Sequence, residues 1–190
     1  MTPVTSWKLN GALGNNDQCL AALATAAQYT SQPDKEDGPQ CGITPRVVLT
    51  AVGDVRLSPL DTRCQTALRL AMWITHGVEP AARATLGTEL SELSHLSSYS
   101  CRRIRLSGGT GARMSTHATA DAVDITGVVL ADGRRIRLLS DWGTPGPVSD
   151  FLREMRNTAC DWFRVTLGPD YNALHADHFH LQHTGWGLCQ

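Results

Sequence analysis

The sequence predicts an α+β protein, with helices packed on a small, mostly antiparallel sheet and the whole held by disulfides. Three observations carry this. Apolar residues recur at helical spacing in 61–78 and 148–168. Two β-rich runs flank Asp132-Gly133, a favourable turn pair. Six cysteines, Cys19, Cys41, Cys64, Cys101, Cys160 and Cys189, are spread along the chain with no CxxC pair. That pattern fits disulfides in an oxidising compartment rather than a zinc knuckle. With 190 residues, 42% hydrophobic and 18% charged, the chain can build one core, so a single domain over 1–190 is expected.

Taken in order, 17–29 predicts a helix with Asp17 capping its first turn. The polar stretch 30–40 predicts a loop, so 1–40 forms a helical and loop extension ahead of a main unit at 41–190. Short apolar runs broken by Pro and Gly in 41–59 predict short strands or irregular chain. In 61–78, Ala67, Leu70, Ala71 and Ile74 line one helical face, with Asp61 or Thr62 as cap and Gly77 as stop. Residues 93–106 predict a strand leading into the loop "SGGTGARMS". "AVDITGVVLADGRRIRLL" has the form of a hairpin. The helix 148–168 carries Phe151, Met155, Ala159 and Trp162 or Phe163 as its apolar stripe and stops at Gly168-Pro169. "HFHLQH" predicts the last strand. Among the cysteines, Cys101 with Cys160 is the pairing expected, and buried free thiols in a cytosolic protein are the alternative to disulfides.

A net charge of -1 gives no general pull toward nucleic acid or anionic lipid. No run approaches the roughly 20 apolar residues of a membrane span. The start, "MTPVTSWKLN", has no basic stretch ahead of an apolar run. Export is therefore expected through a leader outside this sequence or by another route.

The chemistry concentrates in "HADHFH", 175–180, which holds three of the 7 histidines. In an extended segment His178 and His180 point the same way and Phe179 turns into the core, so HxH sets two imidazoles over one site. A zinc hydrolase needs about three protein ligands and an open position. "STHATADAVDI", 115–125, offers His117 and Asp124. On a strand Val123 and Ile125 face the core and Asp124 faces a cleft. Local pattern favours His178 as the proton-transfer group; Asp177 points away on a regular strand and inward if the chain is still turning. His76, His95 and His183 are expected as ordinary structural or surface histidines, and Asp121 as a solvated turn residue.

These segments resemble known motifs. Ser115, His117, Ala122 and Asp124 match "SxHxxGxAxD" of the D-alanyl-D-alanine metallopeptidases, with Ala120 where that family has glycine. "HADHFH" resembles the second motif of the penicillin-insensitive murein endopeptidases, in a superfamily with lysostaphin-like enzymes and hedgehog. "SYSCRR", "FLREMRNTAC", "LGPDYNALHADHFHL" and the cysteine spacing resemble the extensin-like C-terminal domain family of bacteria over roughly 40–190.

The resemblance implies a hedgehog and D-Ala-D-Ala peptidase-like zinc fold, with Zn2+ held by His117, Asp124 and His180. It implies Asp177 or His178 as general base, with Asp177 slightly favoured, and His175 as an orienting group. It also implies Arg102 as partner of a substrate carboxylate or developing oxyanion, with Arg113 as fallback. The implied activity is hydrolysis of peptidoglycan stem peptides or cross-links, by a D,D-endopeptidase or carboxypeptidase, in the periplasm or outside the cell. Two other roles stay open. One is a non-catalytic zinc domain of the envelope. The other is an antibacterial toxin domain with an immunity protein as partner. Ala120 is the one departure in the first motif, and it matters if the family glycine is left-handed.

Overall fold

The computed structural model describes residues 3–190. In chain order the elements are α1 (Pro3–Leu13), α2 (Asn16–Ala26), β1 (Ala27–Ser31), β2 (Lys35–Glu36), β3 (Gly42–Ile43), β4 (Arg46–Val52) and β5 (Val55–Arg63). There follow α3 (Cys64–Trp73), a π turn (Ile74–Val78), α4 (Glu79–Leu86), β6 (Leu90–His95), β7 (Arg103–Leu106), β8 (Gly109–Met114), a 3-10 turn (Thr116–Thr119), β9 (Ala122–Leu130) and β10 (Arg135–Arg137). The chain ends with α5 (Leu138–Asp141), α6 (Pro147–Trp162), β11 (Val165–Leu167), a 3-10 turn (Ala173–His175), β12 (Phe179–Gln182) and β13 (Leu188–Cys189).

The mixed α+β architecture is as expected, but the main sheet is not small. It has nine strands in the order β1-β4-β5-β6-β9-β12-β11-β13, with β10 also on β9. Among the described residues only β5–β6 and β11–β13 pair in parallel. Pairs β2–β3 and β7–β8 stand apart as two small ribbons. The hairpin predicted at Asp132-Gly133 is present as β9–β10, with Gly133 at φ 87°. Gly127 faces this partner so closely that a Cβ there would run into the Ile136 carbonyl oxygen. The expected strand and loop over 93–115 is instead a strand followed by the hairpin β7–β8.

The helices deviate from the sequence reading at their ends, each for a local reason. Asn15, not Asp17, caps α2: its side chain accepts from the Gln18 amide at 3.0 Å. Residues 27–31 leave the helix to pair with β4 as β1. Asp61 and Thr62 belong to β5, and no side chain caps α3; the Cys64 amide instead donates to the Pro45 carbonyl at 3.0 Å. Gly77 does not stop this helix. It sits in the π turn where a Cβ would lie 2.8 Å from Trp73 and 2.9 Å from Thr158 of α6, so its role is close helix packing. The stop comes at Gly87, left-handed at φ 65°. Helix α6 ends at Trp162 rather than near 168, because Arg164 turns to donate its amide to Gln182 of β12.

Helix α3 is buried at nine of its ten positions, as befits a central core helix. Around it pack Leu23 of α2, Leu49 of β4, Val123 and Ile125 of β9, Phe151 and Met155 of α6, and Phe179 and Leu181 of β12. Leu9 and Leu23, within the stretch expected as an extension, share that core. The disulfides are Cys19–Cys64, Cys41–Cys101 and Cys160–Cys189. The expected Cys101–Cys160 pairing is therefore wrong: Cys160 lies on α6 beside β13, and Cys101 lies at the foot of β7 beside the chain before β3. No helix among the described residues is long and apolar enough to cross a membrane.

Candidate metal centre

Two strands and one turn build the site. Along β12, Phe179 and Leu181 are buried while His180 and Gln182 are half-buried on the other face. On β9, Val123 and Ile125 enter the core and Asp124 faces outward. The β9–β12 register sets His180 directly opposite Asp124, so antiparallel pairing brings together residues 56 apart in sequence. His117 arrives from the 3-10 turn. Ser115 caps that turn by accepting from the His117 amide. Ala120 closes it at φ 52°, ψ 31°, the left-handed region, and is the one non-glycine residue with positive φ among those described. This is the position where the resembling motif has glycine. The strain is held by Thr66, whose hydroxyl donates to the Ala120 carbonyl at 2.7 Å.

His117, Asp124 and His180 present one ligand atom each within 4.8 Å of one another. His117 Nε2 is 3.1 Å from His180 Nδ1 and 3.3 Å from Asp124 Oδ1, and His180 Nδ1 is 3.0 Å from Asp124 Oδ1. Tetrahedral zinc with bonds of about 2.0–2.1 Å has ligand–ligand edges of about 3.3 Å. The triangle's edges are close to those of one face of such a tetrahedron, and the donors, two imidazoles and one carboxylate, are of the types that suit zinc. Burial works to raise the Asp124 pKa, but hydrogen bonds and charge from His117 and His180 hold it well below the usual carboxylate range. The carboxylate is thus ionised and ready for a cation.

The surroundings orient these groups. His117 is 3% exposed, and its Nδ1 donates to the Ser98 carbonyl at 3.0 Å, which orients the ring with Nε2 toward the triangle. Ser98 is itself fixed: its hydroxyl donates to Ala122 O at 2.7 Å and pairs with Thr62 Oγ1 at 2.6 Å. His178, just before β12, points Nε2 at the centre, 3.6 Å from Asp124 Oδ1. Its Nδ1 lies 2.7 Å from Asp177 Oδ1. Asp177 is 54% exposed and turned to His178 rather than to the three ligand atoms. His175 binds Asn172 through Nδ1 at 2.8 Å and lays its ring 5.2 Å from that of His178. Burial, then the neighbouring His178 and His180, push His175 down to about 4.

Arg102 is half-buried at the rim. Burial and Arg105 lower its pKa, and the Asp124 charge acts in the opposite sense. Arg113 is exposed on β8. The remaining histidines stay outside the centre. His76 stacks on Trp162, His95 binds Ser58 and His183 binds Asp121. Asp121 is not a solvated turn residue. It forms an ion pair with Arg63 at 2.6 Å and accepts from Thr119 at 2.7 Å, which braces the stretch between two ligands. Sequence reasoning missed Ser98 and Thr62. The Ser98 contact to His117 is made by a main-chain carbonyl, which no side-chain pattern reveals.

Neither a comparison with curated proteins nor one with solved structures finds a significant match. The family described as "Extensin-like protein C-terminus" matches residues 17–190, which includes all three ligand candidates, the six cysteines and helix α2 from Asp17 onward. The chain belongs to the extensin-like C-terminal family.

Proposed function

We propose that this protein is a zinc peptidase that hydrolyses peptidoglycan stem peptides or cross-links, as a D,D-endopeptidase or carboxypeptidase. It would then be a relative of the lysostaphin, D-Ala-D-Ala metallopeptidase and hedgehog superfamily. The carrying observation is the His117–Asp124–His180 triangle, with edges of 3.0–3.3 Å and the His178–Asp177 pair beside it. Three protein ligands leave one position for the reaction, the arrangement of catalytic rather than structural zinc sites. Three disulfides argue for work in an oxidising compartment, the periplasm or outside the cell.

When bound, zinc would supply Lewis acidity toward the scissile carbonyl and an acidified water near neutral pH. The protein's own groups do the rest. His178 Nε2 faces the centre and takes the proton of the attacking water. Asp177 accepts from Nδ1–H, which fixes the tautomer and stabilises the imidazolium that forms. The same nitrogen returns the proton to the departing amine. Arg102 places positive charge where the carbonyl oxygen becomes an anion. Direct action of Asp177 as base would require its carboxylate to leave His178. Delivery as an antibacterial toxin neutralised by an immunity protein is compatible with the same chemistry; lysis on periplasm-directed expression is its test.

The proposal is tested by digesting purified sacculi with zinc-loaded protein beside a folded His180→Ala control, reading soluble muropeptides by mass spectrometry. Loss of cross-linked dimers or of a terminal D-Ala with the unmodified protein alone is expected. An unchanged profile from protein carrying stoichiometric zinc would overturn the peptidase reading in favour of a zinc-holding envelope-binding domain.

A further inference from the structure

The hairpin β7–β8 rises from the edge of the candidate centre. Its foot is pinned there: the Ser115 amide donates to the Arg102 carbonyl and the Ser100 amide to the His117 carbonyl, both at 2.9 Å. Cys101, between these two anchors, is tied to Cys41. A strand of this length reaches about 13 Å outward, and the ribbon pairs with no other strand.

Its charge is one-sided. The chain as a whole balances 17 basic against 18 acidic residues, yet no acid occurs between Glu92 and Asp121. That stretch holds Arg102, Arg103, Arg105 and Arg113. Arg103, Arg105 and Arg113 are exposed. Arg103 and Arg105 share one face of β7, and Ile104 on the other packs over Gly111. Five of the eleven arginines outside the hairpin pair with acids, Arg46 with Asp61, Arg63 with Asp121, Arg83 with Glu79 and Glu89, Arg134 with Asp132 and Arg153 with Asp170. Among the described residues none of the four hairpin arginines has such a pair; Arg102 and Arg103 donate only to hairpin carbonyls, Arg103 O and Ala112 O. Protection of an exposed strand edge would be met by either sign of charge, and gives no reason for four arginines beside a peptidase centre.

We infer that this hairpin is an anion-recruiting arm that draws carboxylate-bearing peptide chains onto the centre, so that the substrate class is an acidic peptide with free carboxylates. The inference rests on the peptidase reading above. Guanidinium groups suit carboxylates because their donors match both oxygens. Exposed pairs of this kind are individually weak, screened beyond about 10 Å at 0.1 M salt, and act together by steering and retention.

The test is binding, not cleavage. The zinc-loaded full chain is sedimented with purified sacculi at low salt, and with the same sacculi after carbodiimide amidation of their carboxylates. Both are repeated with Arg103→Gln/Arg105→Gln/Arg113→Gln, which leaves Arg102 in place. We expect amidation and the triple substitution each to weaken binding about tenfold, three weak pairs summing to about one decade. Together they should do little more than either alone, and unmodified protein should lose the advantage at high salt. Equal binding to native and amidated sacculi, or no binding to either, would overturn the inference. So would tighter retention of a short DNA duplex than of sacculi. Amidation alters only the substrate, so that arm decides even if the triple variant folds poorly. Charge-dependent binding without hydrolysis would refute the peptidase reading and spare the arm. Hydrolysis with charge-independent binding would do the reverse.

Discussion

Removing the Cys41–Cys101 bridge by Cys41→Ser/Cys101→Ser should weaken both the fold and the metal centre. The bridge closes a separation of 60 residues. In the chain-entropy account this restricts the unfolded state by about 14 cal/mol/K, or about 4 kcal/mol at 25 °C. The Cys19–Cys64 bridge shortcuts part of that loop, but the dependence is logarithmic and the figure stays near 4 kcal/mol. For a chain of this size, about 2–4 °C per kcal/mol implies a Tm lower by roughly 8–16 °C. The functional consequence follows from position. Cys101 lies between Ser100, which holds the His117 carbonyl, and Arg102, which holds Ser115. Zinc affinity should therefore fall too. Cys160–Cys189 supplies the contrast: its separation of 29 gives about 3.5 kcal/mol, but it joins α6 to β13, two strands from His180. Its Ser/Ser variant should lose stability and keep wild-type zinc affinity. Non-reducing thermal melts and competition with a zinc-binding dye measure both quantities. A loss under about 1 kcal/mol for Cys41→Ser/Cys101→Ser, or equal loss of zinc affinity in the two variants, would refute this reasoning.

Four further outcomes are expected. His178→Ala should retain one zinc per chain and lose about 10²–10⁴-fold in kcat/KM. Asp177→Asn should lose about 10–100-fold; an equal loss in both with zinc intact would make Asp177 the base. Phe179→Ala should cost about 3–5 kcal/mol in guanidinium unfolding, since the ring is fully buried between the two HxH histidines and meets Trp142 edge-on at 5.7 Å; a cost below about 1 kcal/mol would mean HxH is held by something else. His183 is pushed down to about 4, chiefly by burial, with Arg69 and Arg63 adding to it and Asp121 opposing. The unfolded chain takes up this proton first, so stability should be full above about pH 6.5 and fall, by on the order of 3 kcal/mol, as pH drops toward 4. Urea midpoints across that range should fall less steeply in His183→Gln, the His175 contribution remaining, and an unchanged acid limb would contradict the assignment.

What the sequence made legible was local. Period-two alternation put Phe179 and Leu181 inside and His180 outside, and Asp132-Gly133 marked a hairpin that is there. Asn15 and Asp17 compete within two positions as caps, and propensity cannot choose. Gly77 has the composition of a stop, yet packing against Thr158 explains it. Asp61 and Thr62 look like caps because nothing local says that β5 runs through them. The cysteine partners are a tertiary fact, and so is the length of the main sheet. At the site, residue type and spacing nominated His117, Asp124 and the HxH pair, and the family resemblance singled out His180 as the third ligand; only the β9–β12 register explains why Asp124 and His180 meet. The left-handed turn at Ala120 could be anticipated only from the glycine of the resembling motif. The roles of Ser98, Thr62 and Asp121 depend on neighbours far apart in the chain.

On the proposed reading His117, Asp124 and His180 form a zinc centre with room for the reaction. Zinc K-edge absorption on the loaded protein, beside zinc stoichiometry for His180→Ala, tests it most directly. The expected result is a four-coordinate metal with only nitrogen and oxygen neighbours at about 2.0–2.1 Å, and loss of tight binding in His180→Ala. Sulfur at about 2.3 Å, or undiminished zinc in His180→Ala, would contradict it.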